Sequence, residues 1–200
     1  MHNPAMYSFE RLPLPDAEVW YAPKFFSPEQ SHMYLQVLAQ TINWKQEKIK
    51  LFGKELPMPR LTAWYGDKSY TYSGLRNEPQ AWIPVLQQIR EQLTAATGKE
   101  FNSVLLNLYR NGQDSMGWHA DDEPELGLQP CIASLSFGET RRFGFRHRYN
   151  KAFENKYITL HPGSLLLMQG LTQHNWHHNL PKSTKAGGIR INLTFRNIIG

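Results

Sequence analysis

Two hundred residues with 40% hydrophobic and 20% charged side chains can bury a substantial core in one domain, which excludes a disordered or low-complexity protein. Net charge is +5 at pH 7 and the isoelectric point about 9.3, a balance that favours anionic partners without naming one. A single cysteine excludes an internal disulfide, and with no apolar leader in MHNPAMYSFE and no run of transmembrane length the expected compartment is a reducing cytoplasm.

Residues 1 to about 26 mix prolines with aromatics and read as irregular. At Ser27-Pro28-Glu29-Gln30 a helix start is marked by a capping serine, a proline at the first helical position and a glutamine that completes a capping box. Met33, Leu35, Val37, Leu38 and Ile42 are the expected apolar face of that helix. Lys48 to Leu51 alternates like a strand and breaks at Gly53, so it reads as one arm of a hairpin, and Pro57 and Pro59 end regular pairing. Turn signals at Gly66-Asp67 and Ser73-Gly74 flank Tyr70-Thr71-Tyr72. A second helix is predicted from Pro84 to Thr97, with Leu86, Ile89, Arg90 and Leu93 on its spacing and Gly98 as its stop.

From residue 101 the chain turns β-rich. Phe101 to Arg110 and Cys131 to Phe137 alternate, Arg142 to His147 carries β-prone aromatics, and Tyr157 to Leu160, Ser164 to Met168 and Ile189 to Ile198 follow between turns. Beside Ile132 and Ala133, Cys131 reads as a small buried apolar side chain rather than a reactive thiol. Short strands at such intervals predict a β-sandwich or barrel with the helices of the first half packed outside it.

Within that frame one stretch can do chemistry. In Trp118-His119-Ala120-Asp121-Asp122-Glu123 an extended backbone turns His119 and Asp121 to the same side, so both can grip one metal ion. A third ligand must come from elsewhere, and His174, His177 and His178 cluster downstream. Two histidines and one carboxylate with open positions is the ligand set of non-haem Fe(II) oxygenases. In Arg190 to Arg196 every even position is polar (Arg190, Asn192, Thr194, Arg196) and every odd one apolar, and Asn107 and Tyr109 make a second polar pair. Arginine forks match carboxylates, so this wall beside a metal suits a small dicarboxylate, and a 2-oxo acid chelated to iron leaves room for dioxygen.

The segments Asn107-Leu108-Tyr109, His119-Ala120-Asp121-Asp122-Glu123, Ile132 to Gly138, Pro162 to Leu166, His178-Asn179-Leu180-Pro181 and Arg190 to Arg196 stand in the order and spacing of the AlkB family. The chain resembles that family over roughly residues 48 to 198, most of all its subclass acting on double-stranded DNA. The resemblance implies a mainly β fold with flanking helices: a double-stranded β-helix (jelly-roll) core over 101–198, and an N-terminal extension over 1–100 with a nucleotide-recognition lid. It also implies Fe(II), 2-oxoglutarate and O2 as cofactor and co-substrates, and demethylation of N1-methyladenine and N3-methylcytosine in DNA; a monomer is the default expectation. The same chemistry on RNA or a protein, or a non-catalytic cupin-like metal-dependent nucleic-acid-binding module, stand as alternatives.

Carried to this chain, the resemblance selects His178 to join His119 and Asp121 on the metal, and gives the 2-oxo acid to Asn107, Tyr109, Arg190, Thr194 and Arg196, with Asn192 serving the metal or orienting a neighbour. Arg196 also counts among the catalytic residues. Substrate contacts are expected from Leu51, Phe52, Gly53, Arg60, Tyr70, Tyr72, Asp122 and Glu123. Phe52 would wedge into the duplex, Tyr72 would stack on the flipped base, and the two acids would favour a cationic base. The run Arg141, Arg142, Arg146, His147, Arg148 and Lys151 would meet phosphates.

Overall fold

The computed structural model describes residues 7–199 apart from Phe52, Gly53, Ser69, Ser73, Gly74 and Glu78. Strands β1 (Glu10–Arg11) and β2 (Glu18–Ala22) precede helix α1 (Pro28–Thr41). The ribbons β3 (Lys48–Leu51) with β4 (Lys54–Pro57) and β6 (Tyr70–Tyr72) with β7 (Leu75–Asn77) lie on either side of β5 (Leu61–Gly66), and α2 (Pro84–Thr97) closes the first half. Eight strands follow: β8 (Ser103–Tyr109), β9 (Met116–His119), β10 (Ile132–Gly138), β11 (Arg141–His147), β12 (Lys156–Leu160), β13 (Ser164–Gln169), β14 (Trp176–Leu180) and β15 (Arg190–Arg196), with the single-turn helix α3 (Thr172–Asn175) before β14.

Both long helices begin and end where local chemistry dictates. The Ser27 hydroxyl accepts from the Gln30 amide while the Gln30 side chain accepts from the Ser27 amide, closing the capping box. α2 has proline at its first turn and stops at Gly98, whose left-handed φ of 66° lets its N–H bond the Thr94 carbonyl. The face of α1 departs from expectation: Tyr34 and Leu38 are buried, whereas Met33 is 44% exposed. Tyr34 wins that place because its ring packs edge-on against Phe26 and Phe137.

Strands β8, β10, β13 and β15 join β1, β2 and β5 in a seven-stranded sheet of order β1-β2-β13-β10-β15-β8-β5, and β9, β11, β12 and β14 make a four-stranded sheet of order β12-β11-β14-β9. Eight antiparallel strands shared four and four between two sheets are the double-stranded β-helix. The sheet does not respect the expected division near residue 100, because β2 pairs with β13 and β5 with β8. Two β-prone segments of the first half thereby cover what would otherwise be open edges.

One core cluster lies between the helices and the large sheet, with Leu38, Leu86, Ile89, Leu106, Leu135, Leu193 and Phe195; a second lies between the sheets, with Leu105, Ile132, Phe145, Leu166 and Trp176. The large sheet is therefore covered on both faces, and every residue of β8 and of β15 is buried. The polar face of β15 is not turned to water: it looks into the space between the sheets.

Candidate active site

His119 and Asp121, which their spacing turned to one side, meet His178, the histidine that the family resemblance selected. His119 ends β9, Asp121 follows it in the loop, and β14 pairs His178 directly opposite His119. The donor atoms of His119, Asp121 and His178 all lie within 4.8 Å of one another, and the two imidazoles meet edge to face with centroids 4.2 Å apart. The His119 Nδ1 sits 3.0 Å from the Gly117 carbonyl, which can only accept, so Nδ1 carries the hydrogen and Nε2 keeps its lone pair for a metal. The His178 ring stacks on Phe143 at 5.4 Å. His177 and His174 stay apart: alternation turns His177 to the opposite face of β14, and His174 lies beside Tyr149.

Electrostatics prepare the three groups for a cation. Burial pushes the Asp121 carboxyl up, but Arg196 and then the imidazoles of His178 and His119 outweigh it and hold it at about 2. Burial, joined by His119, lowers His178 to about 3, and burial lowers His119 as well. At neutral pH the set is two neutral imidazoles and one carboxylate, the protonation state that metal coordination requires.

Around the triad lies a cavity between the sheets, lined by Leu105, Asn107, Tyr109, Met116, His119, Asp121, Ser134, Phe143, Met168, His178, Leu180, Arg190, Asn192, Thr194 and Arg196. Every predicted metal or 2-oxo acid residue is in that lining. The two arginines differ in partner. Arg196 donates to Asp121 Oδ1 at 2.8 Å, with both side chains buried. Arg190, also buried, donates to Ser136 Oγ at 2.8 Å and rests 5.3 Å over the Tyr109 ring. Its Nε has no partner, and among the described residues no carboxylate pairs with it. Burial lowers Arg190 to about 10, so its guanidinium remains charged at neutral pH. A buried, uncompensated cation facing a cavity that holds a metal-ligand triad fits a dicarboxylate with one end at each. Of the two roles expected for Asn192, its hydrogen bonds fit the orienting one: its amide donates to Ser134 Oγ and the Leu135 carbonyl and accepts from Thr194, so it braces its neighbours on the cavity wall.

The substrate-side expectations divide. Phe52 and Gly53 lie outside the described residues, and Leu51, Tyr70 and Tyr72 sit in the ribbons β3 and β6. Arg60 is 5% exposed and donates from Nε to Asn107 Oδ1 at 2.8 Å, so it orients a cavity residue from inside the protein. Asp122 accepts from Arg148 at 2.6 Å, which already balances the charge expected to face a cationic base; Glu123 starts the turn at Pro124–Leu126. Of the basic run, Arg141 is a correction. It points inward, is 2% exposed, and donates to the carbonyls of Asn111, Asp114 and Pro181, where no phosphate reaches it.

Three partners of the site escaped sequence reasoning. Gln173, buried on α3, accepts from the Asp121 backbone N–H at 3.0 Å, and Arg148 bonds the Gln173 carbonyl as well as Asp122, so the metal loop is clamped from α3 and from the residue that follows β11. Ser134 and Ser136 hold Asn192 and Arg190; the alternation in Ile132-Ala133-Ser134-Leu135-Ser136 was the available signal. For Gln173 no local signal exists.

Residues 18–196 match the 2OG-Fe(II) oxygenase superfamily. Alpha-ketoglutarate-dependent dioxygenase alkB homolog 3 of Homo sapiens is 41% identical over 201 residues, covering 96% of this chain and 70% of that protein. DNA oxidative demethylase ALKBH2 of Bos taurus is 44% identical over 160 residues, covering 76% of this chain and 58% of the relative. A solved structure titled "The structure of OsALKBH1" superposes with a TM-score of 0.67 at 16% identity, over 95% of this chain and all of that one, a likeness of fold. With the triad, the arginine wall and the two-sheet core already in place, these similarities make the chain a member of the 2OG-Fe(II) oxygenase superfamily and, within it, of the AlkB family of dioxygenases.

Proposed function

We propose that this dioxygenase repairs N-alkylated bases, removing methyl groups from N1-methyladenine and N3-methylcytosine in double-stranded DNA. The observation that carries it is the triad, with Asp121 and His178 buried, and Arg190 unneutralised in the same cavity, in a chain 41–44% identical to proteins named as AlkB-type dioxygenase and DNA oxidative demethylase. In the proposed roles His119, Asp121 and His178 hold Fe(II), and Arg190 with Tyr109 takes the distal carboxylate of 2-oxoglutarate. Bound together, iron, 2-oxoglutarate and dioxygen supply hydroxylation of the N-methyl carbon, with the oxo acid leaving as succinate and CO2.

The remaining steps belong to the chain. Arg196 keeps Asp121 ionised and fixed, so the carboxylate is not protonated or swung away during turnover. Asn107, held by Arg60, and Thr194, held by Asn192, give the 2-oxo acid polar contacts of set orientation. Leu105, Met116, Phe143, Met168 and Leu180 are the apolar part of the lining and keep water from the oxidising centre. The hydroxymethyl base then loses formaldehyde. A base reaching this cavity has left its helix, at a cost of a few kcal/mol that is smaller when methylation already blocks pairing.

Support for nucleic acid as partner comes from the relatives and from the +5 net charge. Incubation with Fe(II), 2-oxoglutarate and duplex oligonucleotide bearing either lesion should release formaldehyde and succinate together. Matched single-stranded DNA and RNA rank the substrates. Absence of turnover on every methylated nucleic acid, with bound iron verified, ends the proposal. The same reading makes the enzyme a monomer in a reducing compartment, which sedimentation with and without oligonucleotide checks.

A further inference from the structure

The four-stranded sheet has an outward face that the reaction does not use. Phe143, Phe145 and His178 turn toward the space between the sheets, so the neighbouring positions Arg142, Gly144, Arg146 and Asn179 turn away from it. Gly144 pairs with Tyr157 of β12 on one side and Asn179 of β14 on the other. A Cβ there would collide first with the Asn179 Oδ1 and then come within 2.9 Å of the Tyr157 ring and 3.0 Å of the Trp118 ring, so the absent side chain is what lets the asparagine oxygen and the two rings close over the strand. The Arg142 guanidinium lies 3.5 Å from the Tyr157 ring centre and that of Arg146 lies 4.6 Å from the Trp118 ring.

Both arginines are exposed, and among the described residues neither enters an ion pair. Asp122, whose charge reaches His177 on this face, is taken by Arg148. Between the rings the Asn179 Oδ1 is buried without a hydrogen-bond partner, and the residue is 9% exposed.

We propose that this face is a docking track for a single-stranded nucleic acid, separate from the cavity that takes the reacting base; it rests on the nucleic-acid reading above. Stacking on a ring orders each guanidinium before binding and leaves its in-plane N–H groups for phosphate oxygens. The rings and the outer guanidinium planes give unpaired bases flat surfaces, which a duplex with its bases stacked inside cannot use. Arg142 and Arg146 are four residues apart along a strand, about 13 Å, so they grip different phosphates of one chain.

The test uses the whole, metal-free protein and a fluorescein-labelled, unmodified oligothymidylate, with binding followed by anisotropy over a salt series. Removing two phosphate contacts in the R142Q/R146Q double variant should weaken binding about tenfold or more and reduce the slope of log K against log salt by about 1.4, at about 0.7 per phosphate on a single strand. Tyr157→Leu keeps the charges and removes one ring, so affinity should fall while the slope stays. The double variant should keep the wild-type melting temperature, which shows that it folds, and a methylated trinucleotide, too short to span cavity and track, separates turnover from track binding in the wild type. Oligouridylate in parallel tells RNA from DNA as the source. Unchanged affinity and slope in the double variant overturn the track while the repair reading stands, as does duplex bound equally tightly with the same dependence on Arg142 and Arg146. Wild-type protein that demethylates the trinucleotide yet binds no oligonucleotide overturns the track too. No turnover of any methylated nucleic acid overturns the repair reading and the track with it.

Discussion

Replacing Gln173 by leucine tests whether the metal loop is held from outside its own strand. Gln173 and Asp121 are each 1% exposed, and the Gln173 side-chain oxygen is the partner of the Asp121 N–H at 3.0 Å. Leucine keeps the volume and removes the acceptor, leaving a buried N–H unsatisfied at a cost of about 1–3 kcal/mol. For a chain of this size that lowers the melting temperature by about 2–4 °C per kcal/mol, hence by about 2–12 °C in the metal-free protein. The carboxylate is then free to tilt from the two imidazoles, and loss of such an outer support weakens metal affinity about 10–100-fold. Calorimetric melting of the metal-free protein and competitive titration with Mn(II) measure the two effects separately. A melting temperature unchanged within about a degree, with an unchanged Mn(II) dissociation constant, would show that Asp121 is positioned by Arg196 alone and refute the clamp.

Arg190→Met removes charge-assisted hydrogen bonds worth about 1.5–3 kcal/mol, so the KM for 2-oxoglutarate should rise about 10–100-fold with kcat nearly kept at saturation. Arg190→Lys should recover little of this, because an ammonium cannot present the fork. Stability of the metal-free protein should fall with acidification. His178 binds a proton near its ordinary 6.5 when unfolded but only at about 3 when folded, so its contribution is complete above pH 6.5 and is lost as pH drops toward 3. Melting from pH 7 to pH 5 should therefore show a steeper decline in the wild type than in His178→Asn. Burial pushes Cys131 from 9.0 up to about 11, so at pH 8 its alkylation by iodoacetamide should be about 100-fold slower than that of a free thiol, a difference that vanishes on unfolding.

Much of the molecule could be read from local chemistry. Ser27-Pro28 and Pro84 with Gly98 mark helix ends because capping groups act on backbone atoms a few residues away, and both helices run where those residues say. The alternation of Arg190 to Arg196 separates a polar row from an apolar one because strand geometry has a period of two, and all four polar residues line the cavity. His-x-Asp places two ligands on one side for the same reason.

Tertiary structure decided what periodicity leaves open, namely which row faces what and which distant strand lies opposite. The polar row of β15 looks inward only because helices cover the other face of the sheet, and His178 serves the triad only because β14 pairs it across from His119. Arg141 and Arg142 are neighbours in sequence, yet one is stapled to three carbonyls inside and the other lies over Tyr157 outside. Gln173 meets Asp121 across 52 positions of chain, a contact that no local pattern encodes because it arises from the packing of α3 beneath the loop. What the sequence by itself determined is the inventory of groups and their spacing along each strand; register between strands, and the burial that strips water from Asp121, His178 and Arg190, turned that inventory into a metal site with a waiting cation.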